Sequence, residues 1–296
     1  MQRRVLSGYM FVLPLFILFA IFIVYPIFYN IYISFFDWNG IRPDMTFVGF
    51  DNYIGLINDP VMVRIFSNFV IFAFFTILIQ AFLGISFASF FIRRIKGTNI
   101  FRTIFYIPVI ATPAIVGNVF SGILEANRGQ LNVTLRAVGL DFLAVPWLAD
   151  PRFAIWCIVA INIWQWTSYS MLMYYVNMLN IPSDIYEAAT VDGASQWQQF
   201  YGITIPLLRN THFTLFIMGA LGSLKTFDLP FILTGGGPIN STEFFPTYIH
   251  RRSFELFDQG GASAVTVVML VLAMIITAAQ LTLYTRRNKD KELAER

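Results

Sequence analysis

The sequence predicts an all-α polytopic membrane protein with six transmembrane helices, and three observations carry that reading. Of 296 residues, 57% are hydrophobic and only 12% are charged, about half the roughly 25% charged share of a soluble domain. With 32 Phe among them, most of the surface faces lipid. Uncharged runs of about 20 residues or more, the length a helix needs to cross a bilayer, recur between the charges. Finally, Lys and Arg collect on alternate connections. Because backbone polar groups cannot stay unpaired in hydrocarbon, runs of this kind are helices.

Taken in order, the spans are expected near 9–36, 65–92, 103–124, 153–178, 210–234 and 262–285, within one domain over 1–296. Arg3-Arg4 precede the first run as in a secretory leader. That run, however, extends from Val5 to Phe36, well beyond an apolar region of about 7–15 residues, and no small-residue cleavage site follows. It reads as a retained anchor. Pro26, Pro108 and Pro113 are expected to kink their helices. The connections at 37–63, 125–152 and 235–260 carry Pro, Gly, Asn and Asp, as turns do. One Cys, Cys157, excludes a disulfide framework or a Cys-based metal site, and a net charge of +3 gives no case for nucleic acid.

The Lys/Arg bias sets the orientation. One side holds Arg3, Arg4, Arg93, Arg94, Lys96, Arg102, Arg209, Arg286, Arg287, Lys289, Lys291 and Arg296, and is assigned to the cytoplasm, with both termini. On the other side, Arg42, Arg64, Arg128, Arg136, Arg152, Arg251 and Arg252 are diluted by acids. The connection between spans four and five is the exception, with Asp184, Glu187 and Asp192 against Arg209. There Ser183 is expected to cap a helix running to Val191, with Gly193 as its left-handed end. Ser195 and Gln198 fit a capping box that opens a second helix, which carries Trp197, Phe200 and Tyr201 and ends or turns at Pro206. A helix–turn–helix resting on lipid would normally show Lys and Arg. An acidic one calls for a protein partner.

The run Glu187-Ala188-Ala189-Thr190-Val191-Asp192-Gly193-Ala194, continued by Gly202-Ile203-Thr204-Ile205-Pro206-Leu207, resembles the EAA loop of binding-protein-dependent ABC transporter permeases. Tyr25-Pro26-Ile27, Ser34-Phe35-Phe36-Asp37-Trp38, Phe47-Val48-Gly49-Phe50-Asp51-Asn52-Tyr53, Ile181-Pro182 and Thr234-Gly235-Gly236-Gly237-Pro238 extend the likeness over most of the chain, to the carbohydrate-uptake branch. The opening pattern looks like the maltose-F-like half of a permease pair. The likeness implies a type I ABC importer permease fold with a cytoplasmic coupling loop at 183–207. It also implies a non-catalytic subunit in the bacterial inner membrane, paired with a second, homologous permease. Two copies of a cytoplasmic ATPase would bind ATP and magnesium, this chain holding no cofactor or metal, and an extracytoplasmic solute-binding protein would deliver a sugar. In that reading Glu187 makes a charged contact with the ATPase, Gly193 supplies the turn, and Ala188, Ala189 and Ala194 pack closely, with Asp192, Gly202, Ile203 and Pro206 completing the loop. The family's usual Ile-x-Leu-Pro ending is here Ile203-Thr204-Ile205-Pro206.

Candidate substrate residues lie in spans four and five. Asn162, Gln165, Trp166 and Tyr169 follow i, i+3, i+4, i+7 and form a stripe on one helix. Aromatic faces with amides suit a neutral sugar, while Asn and Gln also serve ordinary interhelical hydrogen bonding. Asn162 and Tyr169 match the sugar-lining stripe of maltose-type permeases; Gln165 and Trp166 differ from it. In span five, Ser223 and Thr226 occupy the equivalent region. Lys225 and Asp228, three apart, either pair on one helix face or line the path. Gly235–Pro238 reads as a helix end and turn.

Other classes fit less well. His212 and His250 are far apart, and the chain has no H-E-x-x-H, G-x-S-x-G or G-x-x-x-x-G-K-[ST] motif, so a membrane enzyme or an intrinsic ATPase has no machinery here. A proton-coupled secondary transporter usually shows inverted repeats with broken helices, and no repeat is visible. A polyol or glycerol-phosphate-type solute is the alternative substrate.

Overall fold

The computed structural model describes residues 12–92 and 97–294. Arg3, Arg4, Arg93, Arg94, Lys96 and Arg296, and the side chains of Arg286, Arg287, Lys289 and Lys291, lie outside the described residues, as does much of the predicted cytoplasmic charge with them. The described residues fall into two compact units, one drawn from 1–62 and 248–274, the other from 63–247 and 275–296.

In the first unit, α1 covers Val12–Ile33. A five-residue π turn, Ala20–Val24, ends immediately before Tyr25-Pro26. Pro26 has no N–H and would crowd the carbonyl four residues back in a regular helix, so the expected kink takes the form of a wider turn. The chain then pairs β1 (Phe36–Asp37) antiparallel with β2 (Thr46–Phe47), Phe36 opposite Phe47. α2 (Asp51–Ile57) follows. The Asn52 amide donates to the carbonyls of Ser34 at 2.9 Å and Phe36 at 3.0 Å, locking α2 to the end of α1. Later chain closes on the same region. The backbone N–H groups of Gln259 and Gly260 donate to the Trp38 carbonyl, Arg252 pairs with Asp258 at 2.7 Å, and Tyr248 donates to Asp59. Burial, with the Asp59 carboxylate alongside, pushes the Tyr248 hydroxyl up to about 12, so it stays a donor.

The second unit holds most of the helices: α3 (Pro60–Phe91, from residue 63 on), α4 (Thr98–Ile110), α5 (Pro113–Ile123), α6 (Gln130–Ala137) and α7 (Ala154–Leu179). Next come α8 (Ser183–Val191), α9 (Gln196–Gln199), α10 (Ile205–Leu207), α11 (Arg209–Leu224) and α12 (Asp228–Thr234), with α13 (Phe245–His250) as far as residue 247 and α14 (Gln259–Ala294) from residue 275 on. Among the described residues two cores hold this unit together. One gathers Phe72, Ile155, Ile158, Leu229 and Phe244; the other gathers Phe91, Met171, Tyr174, Leu208 and Leu215.

Two predicted spans are broken. The third, expected as one kinked helix over 103–124, is instead α4 and α5, bent by 92°. Pro108 sits inside α4 without ending it. The corner forms at Ala111 and Thr112, both extended, with ψ of 134° and 145°, because the residue before a proline is pushed out of helical geometry. Pro113 then occupies the first helical turn, where its missing N–H costs nothing. The fifth span breaks by 43° between α11 and α12. Of the two readings of Lys225 and Asp228, the helical pairing is therefore not formed: Lys225 caps α11, the helix restarts at Asp228, and among the described residues no ion pair joins them.

Among the described residues three helices, α1, α3 and α14, are long and apolar enough to cross a membrane, or five spans if each bent pair is one. The remaining predicted span, the fourth in chain order, corresponds to α7. Its 26 residues make about 39 Å at about 1.5 Å per residue, long enough to cross, but its Asn, Gln, Ser, Thr and Tyr make it less apolar than the others.

Candidate functional site

α3, α7, α11 and the break before α12 enclose a cavity of about 480 Å³ within the second unit. From α7 come Asn162, Trp166 and Tyr169; from α11 and the break come Ser223, Lys225, Thr226 and Asp228. The sequence-predicted set is thus brought together except for Gln165. That residue is fully buried, and its amide donates to the Ala111 carbonyl at 2.9 Å. It supports the α4–α5 corner and is not among the residues lining the cavity, which corrects the four-residue stripe.

Sequence reasoning missed Thr76 and Gln80, which α3 contributes to the wall. Gln80, one of two amides with Asn68 in a mostly apolar run, was the available signal. Gln80 donates through Nε2 to Asn162 Oδ1 at 3.0 Å and to the Asn162 carbonyl at 3.3 Å. The Asn162 amide is thereby oriented with its Oδ1 occupied and its two N–H donors left for a guest. Trp166 and Tyr169 meet edge to face, centroids 6.2 Å apart, and the Tyr169 hydroxyl lies 3.4 Å from Met218 Sδ. Ser223 and Thr226 donate to carbonyls one turn back, at 2.7 Å and 3.1 Å, which keeps their lone pairs as acceptors. The wall therefore offers amide and ammonium donors, hydroxyl and carboxylate acceptors, and flat aromatic surface. Its two formal charges, Lys225 and Asp228, cancel.

The loop over 183–207 is built from short helical pieces. α8 begins with Pro182 rather than Ser183 at its cap, because Pro182 is extended (ψ 136°) and no side chain caps the helix. Ser183 instead sits in the first turn beside Asp184. At the other end Gly193 adopts φ +82°. Its N–H bonds the Thr190 carbonyl, and that of Ala194 bonds the Ala189 carbonyl, the paired closure of a Schellman motif. Ser195 and Gln198 form a reciprocal capping box at the start of α9. A π turn, Phe200–Thr204, then leads into α10, which contains Pro206.

Two contacts make this loop one body. The Tyr186 hydroxyl bonds Thr204 at 2.9 Å, and the Gln199 amide reaches Thr190 and Ala194. Phe200 and Ile205 pack onto the core around Met171 and Tyr174. Facing outward are Glu187, Ala188, Asp192, Gly193, Gly202 and Pro206, while Ala189, Ala194 and Ile203 are half-buried. Val191, Trp197 and Tyr201 are exposed beside them. The loop thus presents an acidic and apolar surface on a rigid frame. Among the described residues no group of three or more His, Cys, Asp or Glu is placed to hold a metal ion.

Known proteins share both the sequence and the arrangement. The chain is 34% identical to the probable ABC transporter permease protein YurN of Bacillus subtilis, over 98% of this chain and 99% of that protein. It is 31% identical to the trehalose/maltose transport system permease protein MalF of Thermococcus litoralis, over 94% of each. A crystal structure of a bacterial alginate ABC transporter, in complex with alginate pentasaccharide-bound periplasmic protein, contains a chain that superposes with a TM-score of 0.84 at 24% identity, covering 97% of this chain and 96% of that one. At that identity the likeness speaks for the fold alone. The family described as binding-protein-dependent transport system inner membrane component matches residues 3–289. This chain belongs to that family, as a multi-pass membrane permease component of an ABC transport system.

Proposed function

We propose that this chain forms half of the path by which a neutral sugar or oligosaccharide is imported, driven by an ATPase acting through the 183–207 loop. The cavity carries the reading. It combines oriented amide donors, two aromatic faces and hydroxyl acceptors with charges that sum to zero. Such a wall suits a solute rich in hydroxyls and CH faces better than a phosphorylated or acidic one, for which clustered Arg would be expected. The relative named for trehalose and maltose supports the same class.

In this scheme a second, homologous permease completes the pathway, and each permease receives one ATPase on its loop. ATP and magnesium bind to those ATPases and not to this chain. An extracytoplasmic binding protein delivers the solute. The chain crosses the inner membrane six times, α7 included, with both termini and the loop in the cytoplasm. ATP-driven closure of the ATPase pair then moves the loop, and its Schellman-closed turn and the Tyr186–Thr204 bond carry that motion into α7 and α11.

The test is to express the chain with its genomic neighbours and isolate the assembly. Co-purification of an ATPase, lost on Glu187→Lys with the chain still inserted, is expected. Binding-protein-dependent uptake of a neutral sugar into vesicles is the second readout. Retention of the ATPase and unaltered transport in that variant would refute the role of the loop. Uptake of only a polyol or a glycerol-phosphate-type solute would refute the substrate assignment.

A further inference from the structure

The segment after α1 carries an apolar ridge that the transport scheme does not use. The uncharged run that begins at Val5 ends at Phe36, and Asp37 is the first charge after it; α1 ends within that run, at Ile33, and a charge is costly inside the hydrocarbon. Ser34, the next residue, therefore stands at the edge of the hydrocarbon. Three hydrogen bonds hold α2 at that depth: Asn52 to the carbonyls of Ser34 and Phe36, and Tyr53 to the Ser34 hydroxyl at 2.6 Å.

α2 has two faces. Asn52, Tyr53 and the buried Leu56 turn inward. Phe50, Ile54 and Ile57, at i, i+4 and i+7, turn outward with 67%, 54% and 80% of their surface exposed. Phe47, 68% exposed, adds a fourth apolar side chain from β2. Soluble surfaces rarely leave so many large apolar groups together in water. The ridge is also continuous with the surface of the span. Tyr32 of α1, itself exposed, contacts Phe36 at 4.6 Å between ring centroids, and Phe36 contacts Phe47 at 5.4 Å.

We propose that α2 is an interfacial anchor, lying in the membrane plane with Phe47, Phe50, Ile54 and Ile57 dipped among the acyl-chain ends of the leaflet where α1 emerges. Lipid is the occupant because α1 fixes the depth of the ridge and the aromatic chain from Tyr32 makes it an extension of the span's lipid-facing surface. Immersion of about 5–10 Å is typical for such helices. Asp51 is the only charged residue of α2, so the contact is apolar and does not require anionic lipid.

The assembled transporter, with Cys157→Ser as background, is labelled at Ile54→Cys with a polarity-sensitive fluorophore and placed in phosphatidylcholine vesicles. Blue-shifted emission is expected, with strong quenching by a nitroxide high on the acyl chain and little by aqueous iodide. Label at Asp44→Cys, on the exposed loop, should show the reverse. Adding phosphatidylglycerol should change neither pattern. Iodide quenching at Ile54→Cys equal to that at Asp44→Cys would overturn the proposal in favour of water. Protection from both quenchers would overturn it in favour of a protein neighbour. Ile57→Cys provides the same readout if the first variant fails to assemble.

Discussion

Replacing Asn162 with Ala tests whether the cavity holds the solute. The side chain accepts from Gln80 through Oδ1, leaving two N–H donors facing the cavity. Truncation removes those donors but does not strand Gln80, whose Nε2 keeps the Asn162 carbonyl at 3.3 Å. Folding should change little for that reason. One or two solute hydrogen bonds are lost, each worth about 1 kcal/mol net. At about 1.4 kcal/mol per tenfold change, uptake should fall about 5- to 30-fold. The measurement is the initial uptake rate into vesicles at saturating binding protein, alongside ATP hydrolysis and thermal stability of the same preparation. Hydrolysis should persist, so fewer solute molecules move per ATP. Full uptake would show that the Gln80–Asn162 pair serves only to join α3 to α7. A loss of uptake matched by a loss of stability would refute the argument equally.

Other positions give sharper single outcomes. Gly193 has φ +82°, and no atom stands within 4 Å of the place a Cβ would take, so Gly193→Val should destabilise the loop by about 1–2 kcal/mol through backbone strain alone; Gly193→Asn should retain far more of the ATPase in pull-down. A Cβ on Gly219 would lie 2.6 Å from Ile77 Cγ1, so Gly219→Val should cost about 1–3 kcal/mol by overpacking, and Ile77→Ala should restore part of the lost melting temperature. Because Lys225 and Asp228 form no ion pair, Lys225→Gln and Asp228→Asn should act additively on stability, the double variant departing from the sum by no more than about 0.5 kcal/mol. Gln165→Leu, which removes the only side-chain donor to the Ala111 carbonyl among the described residues, should loosen the α4–α5 corner, read as faster proteolysis or hydrogen exchange there, while solute selectivity stays unchanged.

Helix positions were legible where lipid constrains composition residue by residue. α7 was expected over 153–178 and runs Ala154–Leu179. Local chemistry was legible at Gly193 and Ser195, where a left-handed turn and a reciprocal cap need particular side chains. The departures have two causes, tertiary packing at Gln165 and a helix break at Lys225 to Asp228. At about 100° per residue, Asn162, Trp166 and Tyr169 fall within about 60° of one another. Gln165 lies about 60° beyond Asn162 on the far side from Trp166, at the margin of any stripe. Packing decided its direction, and the open carbonyl of Ala111 claimed it. Spacing likewise paired Lys225 with Asp228 only if the helix ran through them.

These breaks also explain why the cavity sits where it does. Pro113, which starts α5 after the 92° corner, and Lys225 to Asp228, which span the 43° break, all line it. Irregular backbone at membrane depth survives only where protein buries it or a water-accessible space satisfies it. A straight α11–α12 would carry its carbonyls in intrahelical bonds and turn Lys225 and Asp228 toward each other. The bend separates the two charges and leaves both facing a space of about 480 Å³. In this chain, then, the interruption that defeats helical periodicity adds Lys225, Thr226 and Asp228 to a wall that the unbroken α3 and α7 supply with Gln80, Asn162, Trp166 and Tyr169.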